Sequence, residues 1–222
     1  MKHIGIICHT KPASGPDRVI YNRVEDRLVQ AVERTGMLPV LIPITSLQDL
    51  TDYFIRLDGL IFAGTTNIAP FYYGEEPTDK TGELDLVSDQ FEMTILKQAI
   101  GQLPILGIER GFQLINLALG GTLSQINSRI IHFGSGTTYH SLNIRKGTLL
   151  HGLYGARLIV ESNHSYELGD LAKDLKWTAK APDGCIEAFE HTELPIMGVQ
   201  FPPHRMGDNY SDLLLTAFLD TL

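Results

Sequence analysis

Pro104-Ile105-Leu106-Gly107-Ile108-Glu109-Arg110-Gly111-Phe112-Gln113 runs from an apolar segment straight into a helical one. Its first half reads as a strand buried on both faces, and Leu114, Leu117 and Ala118 continue its second half at helical spacing. Gly107 and Gly111 flank Glu109 at the spacing of a nucleophile elbow, where small neighbours let the backbone turn tightly and expose the central side chain. A blander reading also exists, because an acidic residue at the start of any helix complements the macrodipole.

Outward from this turn, short apolar runs recur at residues 4–8, 39–42 and 59–62, with helical stretches between them. Ile20, Val24, Leu28, Ala31 and Val32 follow helical spacing and Gly36 supplies a stop. Residues 85–100 repeat the device, with Gly101 as terminator. This rhythm predicts a doubly wound, flavodoxin-like α/β fold with a mostly parallel sheet. The second half changes character: closely spaced runs at 129–133, 140–145, 157–160, 177–181, 186–189 and 196–201 predict an added, small antiparallel β region. Asp183-Gly184 is a hairpin signal between two of them, and a helix over 211–219 closes the chain. Residues 65–82, rich in Pro, Gly and Tyr, read as one long functional loop in a single domain over 1–222.

Composition narrows the function. A net charge of -8 opposes a phosphate-backbone footprint, so nucleic acid is not expected as a partner. No run approaches the roughly 20 apolar residues that span a bilayer, and His3-Ile4-Gly5-Ile6-Ile7-Cys8 lacks a signal peptide's basic start, so a cytoplasmic location without membrane contact is expected. Cys8 and Cys185 lie far apart and read as small buried residues in a reduced compartment.

The elbow, followed by Asn116 and by Gly120-Gly121-Thr122-Leu123, resembles the class I glutamine amidotransferase superfamily, and within it the gamma-glutamyl-gamma-aminobutyrate hydrolases. The resemblance extends through Asp58-Gly59, Gly64, Pro70, Tyr73-Gly74-Glu75-Glu76 and Phe91-Glu92 to His140, Ser162, His164, Asp183-Gly184, Ile186-Glu187-Ala188 and Gly198-Val199-Gln200. It implies a class I glutamine amidotransferase-like fold and a cavity for a small amino-acid or gamma-glutamyl-type ligand. Gly64, Thr65, Arg110, Gln113 and His164 would contact that ligand. No cofactor and no metal ligand are implied, and a homodimer stays open.

Departures from the family pattern fall on its chemistry. The nucleophilic Cys position is Glu109, and the segment carrying the catalytic His and Glu reads Gln200-Phe201-Pro202-Pro203-His204, so Pro202 and His204 stand at the other two triad positions. A carboxylate is a far weaker acyl acceptor than a thiolate activated by His. A non-hydrolytic binding or regulatory protein is the first expectation. The alternative is rebuilt amide hydrolysis, with Glu109 and His204 as acid and base, with water activated at Glu109, or with His9 and His164 joining them around a metal. His140 reads as bonding within a strand pair. Glu109 is expected to fold back onto the backbone N–H groups of Thr65 and Arg110, with a lowered pKa.

Overall fold

A computed structural model describes residues 1–12, 20–45, 50–79 and 81–220. Its strands are β1 (His3–Ile7), β2 (His9–Pro12), β3 (Ile20–Arg23), β4 (Leu38–Ile42), β5 (Gly59–Phe62), β6 (Ile105–Ile108), β7 (Leu123–Gln125), β8 (Thr138–Ile144), β9 (Arg157–Ser162), β10 (Tyr166–Leu168), β11 (Leu175–Lys180), β12 (Ile186–His191) and β13 (Ile196–Val199). Its helices are α1 (Asp26–Arg34), α2 (Thr51–Phe54), α3 (Leu86–Ala99), α4 (Arg110–Ala118), α5 (Leu149–Tyr154) and α6 (Asp208–Leu219).

One nine-stranded sheet runs β4-β1-β5-β6-β13-β12-β11-β8-β9. Its first five strands pair in parallel and the rest antiparallel. The cause lies in the sequence: β5, β6 and β13 are buried at every residue, as strands covered on both faces must be. Alternate residues feed two cores. Leu106 and Ile108 join one with α1 and α6, while Ile105 joins the other with α3 and α4. At the far edge β8 and β9 alternate inward and outward residues, the pattern of one covered face, and Gly184, at φ 98°, turns β11 into β12. The fold is therefore α/β with a large, mostly parallel sheet and small antiparallel additions.

Two expectations need correction. Helical spacing from Ile20 overshoots, because residues 20–23 form β3, antiparallel to β2, and α1 begins only at Asp26. Ile20 is 63% exposed, so a helix there would gain no core contact, and Glu25 is extended at the helix start. Residues 129–133 form no strand; Ile131 and Phe133 point outward and only His132 turns in. The loop at 65–82, residue 80 lying outside the described residues, contains a 3-10 turn at Pro70–Tyr73, and Tyr73 packs edge-on against Tyr166. Cys8 and Cys185 are buried free thiols as expected. No helix among the described residues is long and apolar enough to cross a membrane.

Candidate functional site

The turn at Glu109 is an elbow in geometry as well as in spacing. Glu109 has φ 52° and ψ -108°, and it is the one non-glycine at positive φ among the described residues. Such backbone strain persists only where neighbours enforce it. Here Glu109 N–H donates to Val199 O (2.9 Å) and Arg110 N–H to Gly64 O (3.0 Å). A Cβ on Gly111 would stand 2.0 Å from Phe62 O, and one on Gly107 would stand 2.6 Å from the Gly111 backbone, so both flanking positions require glycine.

The elbow opens on a cavity of about 710 Å³ at the carboxyl ends of the parallel strands. Gly64, Thr65, Glu109 and His204 line it, together with His9, Arg23, Glu25 and Arg205, which the family pattern does not mark as ligand contacts. The Glu109 carboxylate is only 5% exposed and makes no hydrogen bond to the helix start. Its ionic neighbour is Arg205, with Nη1 3.6 Å from Oε1. Burial pushes its pKa up to about 7; Arg205 pulls it down, and the nearby Glu25 and Glu161 add to the rise. The expected plug with a lowered pKa is thereby corrected. The Arg110 N–H is taken by Gly64 O, so no free donor waits there for the carboxylate.

Glu25 organises the opposite wall. Arg205 grips its carboxylate through Nε (3.0 Å to each oxygen) and Nη2 (2.6 Å to Oε2), and His204 Nε2 stands 3.3 Å from Oε2. These partners, His204 foremost, hold the Glu25 carboxyl far below its ordinary range against the opposing effect of burial. His9 Nδ1 pairs with Glu92 (3.1 Å).

The remaining expected contacts face elsewhere. Arg110 is buried in an ion-pair network, its Nη2 on Asp89 and its Nε 2.8 Å from Glu92, while Nη1 donates to the carbonyls of Thr66 (3.3 Å) and Asn67 (3.2 Å). It braces the loop after β5 and is not among the residues that line the cavity. Gln113 donates to Gln200 Oε1 (2.9 Å) and Tyr166 O (3.2 Å), sealing α4 to the end of β13. His164 lies outside the cavity wall beside His132, His140 and Glu187. Pro202 is buried ahead of a 3-10 turn at Pro203–Arg205 and offers no donor. A metal site joining His9, His164, His204 and Glu109 is therefore not assembled. His9 serves Glu92, His204 serves Glu25, and His164 is elsewhere.

A parallel sheet, a strained elbow and a cavity over the strand ends define a class I glutamine amidotransferase-like protein. Solved structures agree: the crystal structure of a glutamine amidotransferase from Thermotoga maritima superposes with a TM-score of 0.64 at 13% identity, covering 99% of this chain and 83% of that one. The chain belongs to the Peptidase C26 family, whose profile matches residues 3–204. It is 35% identical to protein NtpR of Enterococcus hirae over 79% of this chain and 78% of that protein. It is 31% identical to YvdE of Lactococcus lactis, named as a candidate glutamine amidotransferase-like protein, over 84% and 82% respectively.

Proposed function

We propose that this chain is a non-hydrolytic member of its family, of the gamma-glutamyl-gamma-aminobutyrate hydrolase type, that binds a small amino-acid or gamma-glutamyl-type ligand in the elbow cavity. The observation that carries this reading is the elbow apex: a buried carboxylate at Glu109 stands where the family pattern has its thiolate, with Pro202 in place of the base. Neither group can form or resolve a thioester-type intermediate. The cavity nevertheless has the size of a small-molecule site. Its walls carry both signs. Arg23 shares them with Glu83 and Asp85, which suits a zwitterion, and Arg23 makes no ion pair among the described residues.

One observation favours a second reading. A carboxyl group held near a pKa of about 7 is matched to proton transfer at neutral pH, so Glu109 could activate water for amide hydrolysis. Calorimetric titration and thermal shift with gamma-glutamyl amides and free amino acids, run beside a turnover assay, separate the two. Saturable stabilisation without turnover and without labelling by thiol-directed glutamine analogues is expected. Turnover abolished by Glu109→Gln would establish the second reading, and turnover that survives Glu109→Ala would sink both. Glu109→Cys alone is expected to stay inactive, because Pro202 cannot accept the thiol's proton.

A further inference from the structure

Three imidazoles and one carboxylate converge in the antiparallel half of the molecule. His140 lies on β8, Glu187 on β12, His164 between β9 and β10, and His132 in the irregular segment before β8. One ligand atom from each lies within 4.8 Å of all the others. His132 Nδ1, His140 Nε2 and His164 Nε2 stand 3.4, 3.5 and 3.4 Å from the same oxygen, Glu187 Oε1. All four side chains are more than nine-tenths buried. None of the three nitrogens makes an aligned hydrogen bond, and neither does either Glu187 oxygen. Buried polar atoms are almost always satisfied, and each orphan costs about 1–3 kcal/mol, more when charged.

The outer nitrogens show which way the rings are set. His132 Nε2 meets Asp183 Oδ2 at 2.8 Å, His164 Nδ1 meets Tyr166 O at 2.9 Å, and His140 Nδ1 meets Ser141 O at 3.4 Å. In the neutral ring an acceptor on the outer side holds the proton there and leaves the inner nitrogen a lone pair with which to ligate a metal. Three lone pairs then face an anion, an arrangement that repels unless a cation sits among them. Protonating all three imidazoles does not resolve it, since one carboxylate oxygen cannot accept three aligned hydrogen bonds.

Three of the six ligand-atom distances are near 3.4 Å and all six lie within 4.8 Å, which suits a small tetrahedral cation. Four ligands placed tetrahedrally at about 2.0–2.1 Å from an ion are about 3.3–3.4 Å from one another, close to the three distances to Glu187 Oε1. The His132 ring is tilted 57° to His140 and 60° to His164, fanned instead of stacked. We propose that His132, His140, His164 and Glu187 bind a divalent transition-metal ion, Zn²⁺ by preference, at a site separate from the elbow cavity. Four protein ligands leave no open position, so the ion is structural. It fastens the segment around His132 to β8, to β12 and to the turn between β9 and β10, and rests against the elbow's support: Gln200 N–H donates to Glu187 O, and Tyr166 O receives both His164 and Gln113. A surface depression lined by Ser128 and Asp183 adjoins the cluster through the contact of Asp183 with His132.

The test begins with tag-free protein purified without chelator. Elemental analysis is expected to find about one zinc per chain. Stripping with dipicolinate should lower Tm and Zn²⁺ should restore it, while Co²⁺ should give the visible d–d absorption of a tetrahedral site. Glu187→Gln should abolish that absorption. Asp183→Asn, which replaces the carboxylate that accepts from Ser128 and the Cys185 N–H as well as standing behind His132, should weaken Zn²⁺ by about 10–100-fold. His151→Gln on α5 should change neither. If Glu187→Gln does not fold, the parent's Co²⁺ spectrum and Asp183→Asn decide. A parent protein that neither binds Co²⁺ nor gains Tm with Zn²⁺ overturns the proposal, as does metal binding that both variants leave unchanged.

Discussion

At Glu109 one side chain sets both the chemistry and a pH dependence. Its ordinary carboxyl value is 4.5 and burial raises it to about 7 in the folded chain. The folded protein thus holds this proton more tightly than the unfolded chain does. The resulting stability is fully present below about pH 4.5 and is lost as pH rises through about 7, by roughly 3 kcal/mol at most. Glu109→Gln cannot ionise and escapes that loss. Its Tm should equal the parent's near pH 4 and exceed it near pH 8, measured by thermal melts across the range. A parent more stable than the variant at pH 8 would mean that Arg205 outweighs burial. The sequence alone suggested the opposite sign, because a carboxylate at a helix start invites backbone donors. Nothing in the sequence shows that Gly64 O takes the Arg110 N–H first.

At the level of elements, the elbow depends on close backbone approach, and α5 shows the contrast. Gly111→Ala would drive a methyl group into the Phe62 carbonyl, a backbone atom that cannot step aside. It should cost about 3 kcal/mol or more by denaturant unfolding, at or above the top of the range of about 1–3 kcal/mol for ordinary overpacking. Gly152 lies inside α5 with nothing within 4 Å of a new Cβ, so Gly152→Ala should stabilise by about 0.5–1 kcal/mol. Equal effects at the two sites would show that the elbow is looser than its geometry. Elements with a strong local cause were legible in the sequence. The strands β1, β5 and β6 announce themselves as apolar runs, and α3 does so through its helical spacing and the stop at Gly101; the structure adds the cap at Asp85, whose side chain accepts the Ser88 N–H. Elements fixed by partners were not. The strand β3 exists through β2, and His132 is turned inward by Glu187 and Asp183, which lie some fifty residues on and leave no periodic trace.

Across the whole molecule, the candidate cavity was legible through the family pattern at Gly64, Thr65 and the triad positions Glu109 and His204. Gly64, Thr65 and Glu109 were placed in its wall, whereas Arg23, Glu25 and Arg205 come from segments that carry no motif. Arg110 illustrates the limit, since a motif residue that reads as a ligand contact proves to join α4, α3 and the loop after β5. Its partners respond differently. Burial leaves Asp89 above its ordinary range, whereas at Glu92 the pull of Arg110 and His9 overcomes burial and the pKa is lowered. Removing the cation strands two buried carboxylates, the situation in which breaking a buried ion pair costs about 3–5 kcal/mol. Arg110→Met should lose stability on that scale at pH 7.5. The stranded carboxyls would then be raised in the folded state, so the variant should regain stability as pH falls and protons neutralise them. Unfolding curves at pH 5.5 and 7.5 test this directly. A deficit that narrows at the lower pH supports an electrostatic clamp. A deficit independent of pH would mean that Arg110 matters for the space it fills, and that the loop carrying Gly64 and Thr65 is held by other contacts.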